Sequence, residues 1–482
     1  MSCTAYLMIV EAGTDGVALS TVDGVSSLPR VDAWDGRTET LGRLLAGRDA
    51  HGAPTGTPWH PVLPGLTVLA SLAHQGRDDE QGDDGDMLFL CEPASGATLD
   101  GLGLARWTGS DDDLVDLPDG FATAMRAAYD IACGSGTEHG IPWPRFSLPG
   151  FTRELARELA RALASDPAAA LHATLPRAGV PARATDLTQL QGWCLSSVWC
   201  NDEVVVKVTN PNWPREPDIN RFLHGVAPHL VEEVIASGML TDGPSQPAPW
   251  MLQRRARPRT ADRPVTAGPW QGSEPAPDDR ARLLRLRLLT VAALAELQLT
   301  LADDPGAPRA AGADDRSIEA VTAQLQELWD APELAATLEP NEKDALPALD
   351  TYLRGRLADL AALAPVPLMT HGDLHLGNVV DVGDGSVRII DWTDAAMSWP
   401  GVDVRALLPP TSQPEEREAV LTAYERAIGP DHARAVRPGC ELAVLFYALS
   451  YTKIDAFLPA STRWHFHGTI TRMVRHLMKL AA

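Results

Sequence analysis

Thr370-His-Gly-Asp-Leu-His-Leu-Gly-Asn378 is followed by Val379–Val382, a Gly-Asp-Gly turn, and Val387-Arg-Ile-Ile-Asp391-Trp392. Residue type alone predicts a strand ending in a loop, then a hairpin whose second strand delivers Asp391 beside Asn378. Asp373 and Asn378 are five apart on a tight loop, and Asp391 is thirteen further on. Such a cluster offers one carboxylate to a substrate hydroxyl. An amide oxygen and a second carboxylate remain to hold Mg²⁺, which takes few protein oxygens and relies on phosphates for others. Phosphoryl transfer needs that set: positioning, a metal and a base.

The two motifs resemble the signature of the aminoglycoside phosphotransferase and choline kinase superfamily, which is related in fold to protein kinases. His371, Gly372, Asp373, His375 and Asn378 carry the resemblance, with Ile390-Asp391-Trp392 in register behind them. It implies ATP and Mg²⁺ as cofactors, Asp373 as catalytic base, and Asn378 and Asp391 as metal ligands. His371 would buttress the loop. His375 stands where the family keeps a histidine near the transferring phosphate, and a purely structural role for it stays open. Asp403, in Trp399-Pro-Gly-Val-Asp403-Val, matches an acid that pins the backbone of the catalytic loop.

The nucleotide half lies upstream. Lys207 alternates with apolar residues in Glu203-Val-Val-Val-Lys-Val-Thr209. Taken alone, it reads as an outward-facing lysine on an edge strand. Only four of the 41 basic residues are lysines, though, and this one lies on a strand between a hairpin and a helix. The resemblance makes it the α/β-phosphate lysine, with Glu216 at the start of the helix as its ion-pair partner. The plainer reading of Glu216 is a helix-start carboxylate placed for dipole reasons. Gln191-Gly-Trp-Cys-Leu-Ser-Ser197 would cover the phosphates through Gly192, Ser196 and Ser197; its single glycine departs from a full glycine-rich pattern. Trp250-Met-Leu-Gln253-Arg254 matches the hinge, where the backbone around Gln253 would read the adenine edge.

The chain has 482 residues, enough for two or three domains. With 45% hydrophobic and 22% charged residues it is expected to be globular. Its net charge of −23 disfavours nucleic acid and anionic membrane as partners. Six cysteines form no C-x-x-C pair and no zinc spacing, which fits a reducing cytoplasm. The apolar patch Ala5–Val10 has no basic region before it and reads as a first strand. No stretch approaches the ~18 apolar residues of a membrane helix.

The expected fold class is α+β: a bilobal protein-kinase-like fold, with a small β-rich lobe and a large helical lobe, preceded by a separate α+β domain. Residues 1–140 form that first domain, with strands at Tyr6–Val10, Val17–Ser20, Leu66–Leu72 and Met87–Cys91 and a helix at Phe121–Cys133. Its texture is faintly similar to a Nudix fold, but the Nudix box of clustered glutamates is absent. Residues 141–256 hold a linker helix near 150–163 and the small lobe, whose helix starts at Pro214. Residues 257–482 hold the helical lobe, with helices near 279–302, 317–330 and 342–364 and again beyond 414.

The acceptor is expected to be a hydroxyl of a small molecule: an aminosugar, an aminoglycoside-like antibiotic or a sugar. A Ser/Thr kinase acting on a peptide bound by residues 1–140, and a nucleotide-binding pseudokinase, are the alternatives. Asp394 with Glu415, Glu416, Glu418, Glu425 and Glu441 argues for a cationic acceptor, unless those glutamates are solvated helix faces.

Overall fold

The computed structural model describes residues 195–200, 203–240, 248–256, 277–363, 366–383, 385–409, 412–458, 466 and 468–481, together with eight strands among the first 192 residues. For those strands, for residues 277–279 and for Ser197, Trp199 and Leu240, the backbone alone is described. The chain divides into two compact units. One comprises residues 1–214, 234–255 and 458–465; the other comprises 215–233, 256–457 and 466–482.

In the first unit, β1 (Cys3–Ile9), β4 (Arg30–Trp34), β5 (Leu66–Gly76) and β6 (Gly85–Pro93) form a sheet in the order β4-β1-β6-β5, with β1 and β6 parallel. A second sheet orders β3 (Val25–Ser27), β2 (Val17–Val22) and β7 (Ala105–Trp107). The strands expected at 17–20, 66–72 and 87–91 fall within β2, β5 and β6, and that at 6–10 coincides with β1 as far as Ile9, Val10 lying outside the described residues. The helices expected at 121–133 and 150–163 lie outside the described residues.

The same unit holds an antiparallel sheet of β8 (Thr188–Gly192), β9 (Ser196–Cys200), β10 (Val204–Thr209), β11 (Val234–Leu240) and β12 (Ala248–Arg254), ordered β11-β12-β10-β9-β8. The valine run explains why β10 is its central strand. Val204, Val206 and Val208 are fully buried on one face, and β-branched residues suit a pleated, packed surface. Lys207 points to the other face, pairs with Met251 and Val198, and is only 6% exposed. The edge-strand reading of this lysine is therefore wrong: β10 has neighbours on both sides.

The second unit is mostly helical. Helix α1 spans Glu216–Val226; it begins two residues after the expected Pro214, and Pro217 occupies its first turn, where a missing N–H costs nothing. There follow α2 (Pro277–Ala302), α3 (Gly306–Ala311), β13 (Asp314–Asp315), α4 (Ile318–Trp329), α5 (Pro332–Thr337) and α6 (Pro340–Leu363). Ser317 caps α4, its Oγ accepting from Ala320 N–H at 3.3 Å. Helix α6 buries Leu349, Leu353, Leu357 and Leu360 along one stripe, the helical spacing of a core face.

Strand β14 (Leu368–Thr370) pairs antiparallel with β17 (Ala396–Ser398), and β13 joins β17 in parallel. Between them lie a 3₁₀ turn at Leu376–Asn378 and the hairpin β15 (Val379–Asp381) to β16 (Val387–Ile389). The chain ends in α7 (Val402–Leu407), α8 (Pro414–Ile428), α9 (Pro430–Phe457) and α10 (Thr469–Ala481). One core joins α1, α2 and α8 to the β14–β17 region. A second joins α4, α5, α6, α9 and α10. The loop after β14 is thus carried on packed elements. Among the described residues, no helix is long and apolar enough to cross a membrane.

Candidate active site

The loop 371–378 is held by its own backbone. Asp403, near the start of α7 and only 2% exposed, accepts from His371 N–H at 2.9 Å through Oδ2 and from Gly372 N–H at 3.0 Å through Oδ1. Burial is the largest influence on this carboxyl and pushes its pKa up to about 6, against the two N–H donors that pull it down. Gly372 has φ +84°, and a Cβ there would lie 2.2 Å from the Asp394 carbonyl oxygen. Only glycine lets the catalytic loop and the Asp391–Asp394 segment approach this closely.

His371 is fully buried, and both of its ring nitrogens are hydrogen-bonded. Its Nδ1 accepts from Asp373 N–H at 3.2 Å, so Nε2 carries the proton and donates to Ile390 C=O at 2.9 Å. Its ring centroid is 4.6 Å from that of Trp392. The expected buttress is in place: one neutral imidazole ties the loop to the strand that delivers Asp391.

Asp373 projects from this rigid frame with its side chain 51% exposed. His375 lies against it, Nε2 to Oδ2 at 3.7 Å. The Nδ1 of His375 accepts from Gly377 N–H at 3.0 Å, which directs an Nε2–H toward the carboxylate. Burial lowers the pKa of His375, and the charge of Asp391 opposes that only in part. Both the lowered pKa and the Gly377 bond to Nδ1 favour the neutral imidazole, whose Nε2 lies beyond hydrogen-bond length of Asp373.

Asn378 is 8% exposed, and its Nδ2 donates to Asp373 C=O at 2.9 Å. That bond settles which way the amide faces and presents Oδ1 as the acceptor. Ile390 N–H donates to Asn378 C=O at 3.0 Å, bringing the second motif beside the first. Asp391 follows with φ +65°, a left-handed conformation that aspartate tolerates better than most residues. Its Oδ1 accepts from Thr393 Oγ1 at 2.6 Å. An amide oxygen and a carboxylate on adjoining rigid segments are hard donors that fit Mg²⁺ when phosphates complete the shell.

The far side of this loop holds residues that sequence alone does not mark. Tyr447 and Tyr451 of α9 both have raised pKa values, mainly through burial, and the charge of Asp373 adds to each. Tyr451 also feels Asp394 and packs on Phe466, ring centroids 5.5 Å apart. Arg316, 6% exposed, faces the charges of Asp314, Asp394 and Glu327. Four of the five glutamates proposed for an acidic cleft are ion-paired instead. Glu416 meets Arg287 at 3.4 Å, Glu418 and Glu425 each meet Arg437 at 2.7 Å, and Glu441 meets Arg356 at 3.0 Å.

In the first unit, Lys207 and Ser196 are both 6% exposed and Gln253 7%. Gly192 and Ser197 face each other as a pair between the antiparallel strands β8 and β9. Gln253 pairs with Val205 and Val234 on β12. In the second unit, Glu216 is 1% exposed at the first position of α1. Burying an ammonium or a carboxylate this deeply requires compensating partners.

Over residues 186–437, just over half of its length, the chain matches the profile of the family described as APH, phosphotransferase enzyme family. No curated protein matches it. Solved structures similar to it include the GDP and kanamycin complex of APH(2″)-IIia, at 16% identity over 61% of this chain and 92% of that one, TM-score 0.41. Another is the macrolide 2′-phosphotransferase MphH from Brachybacterium faecium, at 20% identity over 63% and 98%, TM-score 0.41. A third is a choline/ethanolamine kinase family protein from Mesorhizobium loti, at 17% identity over 68% and 99%, TM-score 0.40.

Proposed function

The chain belongs to the phosphotransferase enzyme family, and from that premise we propose that it moves the γ-phosphoryl group of ATP to a hydroxyl of a small molecule. The acceptor class is an aminosugar, an aminosugar-containing antibiotic or a sugar. One observation carries this reading: Asp373 is half exposed on a loop whose backbone is fixed by Asp403, His371 and Asn378. A base that must meet a diffusing hydroxyl needs both features, since proton transfer depends on placement to within hydrogen-bond reach.

In the reaction, the acceptor oxygen forms its bond to phosphorus as the bond from phosphorus to the β,γ-bridging oxygen breaks. The acceptor proton passes to a carboxylate oxygen of Asp373, and ADP leaves with the bridging oxygen. His375, whose Nε2 lies 3.7 Å from that carboxylate and so beyond hydrogen-bond length, would stand near the transferring phosphate. Asn378 through Oδ1 and Asp391 through its carboxylate would hold Mg²⁺, which supplies charge neutralisation on the phosphate oxygens. Lys207 would bind the α- and β-phosphates, with Glu216 as its counter-charge, while Gly192, Ser196 and Ser197 cover the phosphates and the backbone at Gln253 reads the base. Because four of the five C-terminal glutamates are already ion-paired, a cationic acceptor would draw its attraction chiefly from Asp394 beside Gly372 and from Asp373.

An acceptor screen tests this directly. ADP release is coupled to a library of amino sugars, neutral sugars, choline-like amines and hydroxylated antibiotics, with Ser/Thr peptides as a further arm. Acceptor-dependent ADP release with a phosphorylated small-molecule product is the expected result. Phosphorylation of peptides alone, or no turnover with any hydroxyl compound, would overturn it.

A further inference from the structure

Thr393 bears on how the proposed metal ligand is aimed. Asp391 is the one non-glycine residue with positive φ among the described residues, a conformation whose cost must be recovered from its surroundings. The backbone on either side of it is anchored. Ile390 N–H bonds Asn378 C=O at 3.0 Å, Ile390 C=O accepts from His371 Nε2 at 2.9 Å, and Trp392 Nε1 donates to Ile389 C=O at 3.1 Å. Those bonds fix where the Cα of Asp391 lies, but they do not fix the rotation of its carboxyl group. Thr393 bears on that rotation: its Oγ1 donates to Asp391 Oδ1 at 2.6 Å, the length of a strong hydroxyl–carboxylate bond. Threonine is well suited to this, because its β-branch restricts χ1 and makes the hydroxyl a stiff lever.

We propose that Thr393 is a positioning residue for the metal, holding Asp391 Oδ1 so that the carboxylate stays turned as a metal ligand. The inference rests on the reading of Asp391 as a metal ligand. It goes further in assigning a role to a residue that the two motifs do not include. Groups that orient a ligand from behind typically matter to metal affinity by about ten- to hundredfold. A purely local role, stabilising the left-handed turn at Asp391, would change folding stability and leave metal affinity unmoved.

The full-length chain with ADP is titrated with Mn²⁺, and free Mn²⁺ is followed by its paramagnetic resonance signal. Thr393→Val keeps the shape and removes the hydroxyl; Thr393→Ser keeps the hydroxyl; Asp391→Ala removes the ligand. We expect Thr393→Val to bind Mn²⁺ about ten- to hundredfold more weakly. Thr393→Ser should retain wild-type affinity and Asp391→Ala should abolish tight binding. In Thr393→Val the Mg²⁺ concentration needed for half-maximal turnover should rise, while kcat at saturating Mg²⁺ returns toward wild type. Wild-type Mn²⁺ affinity in Thr393→Val, with binding lost in Asp391→Ala, would overturn the role of Thr393 and leave the metal site standing. Undiminished binding in Asp391→Ala would remove the metal reading itself, and this proposal with it. If Thr393→Val does not fold, the comparison of Thr393→Ala with Thr393→Ser decides in the same way.

Discussion

Asp403→Asn separates two effects of one buried carboxylate. Asp403 holds the loop through two N–H donors, yet its burial raises its pKa from the ordinary 3.8 to about 6. Between those values the folded chain binds more protons at this site than the unfolded chain does, so stability rises as pH falls through the window. A change from 3.8 to about 6 is worth about 3 kcal/mol over the full window. Asparagine cannot titrate. The stability of wild type minus that of Asp403→Asn should therefore increase by about 3 kcal/mol from pH 8 to pH 3.5. Taking the difference cancels the titration of every other group. Function should move the opposite way, because a protonated carboxyl turns one acceptor into a donor facing an N–H. The wild type should lose kcat below about pH 6, while the variant has a low, flatter profile. Denaturant unfolding at a series of pH values gives the first quantity, and kcat over the same range gives the second. A difference independent of pH, or one that grows as pH rises, would refute the claim that burial outweighs the two hydrogen bonds.

Two further outcomes follow from the same geometry. Gly372→Ala forces a Cβ to within 2.2 Å of the Asp394 carbonyl oxygen at φ +84°, whereas Gly385→Ala, at φ +93°, meets nothing within 4 Å. The second should cost only the ~1–2 kcal/mol of a left-handed alanine and keep its turnover; the first should lose activity and more stability, as read by unfolding midpoints and steady-state rates. Lys207→Met should weaken ATP binding in calorimetry with the fold intact, and Lys207→Arg should not restore it, because a guanidinium does not fit the point-charge role of the ammonium.

The loop itself was legible in the sequence, because phosphoryl-transfer chemistry demands particular residue types at short, fixed spacings. His371, Asp373, Asn378 and Asp391 were readable for that reason, and the structure brings His371, Asn378 and the Asp391 strand together through bonds of 3.2 Å or less. Lys207 was singled out by the rarity of lysine and by its place between a hairpin and a helix, while its alternation with apolar residues suggested an edge strand and hid its burial. Other supports left no local trace. Gln298 donates to Met369 C=O at 2.7 Å and accepts from Tyr424 OH at 2.6 Å, so helix α2, strand β14 and helix α8 are joined by residues more than 70 positions apart. The glutamates of α8 and α9 looked like an acidic cleft because their arginine partners come from other segments, such as Arg287 of α2 and Arg356 of α6. Thr393 carried no signal, since a threonine after a tryptophan is ordinary until its hydroxyl is seen on Asp391.

Asp373→Asn, assayed for ATP affinity and for acceptor-dependent turnover in the same preparation, tests the catalytic assignment most directly. Asparagine keeps the shape and the loop's backbone bonds but cannot accept the proton. ATP binding should therefore stay near wild type while turnover falls by about 10²–10⁴-fold. Turnover within a few-fold of wild type, with ATP binding unchanged, would contradict the assignment of Asp373 as the base.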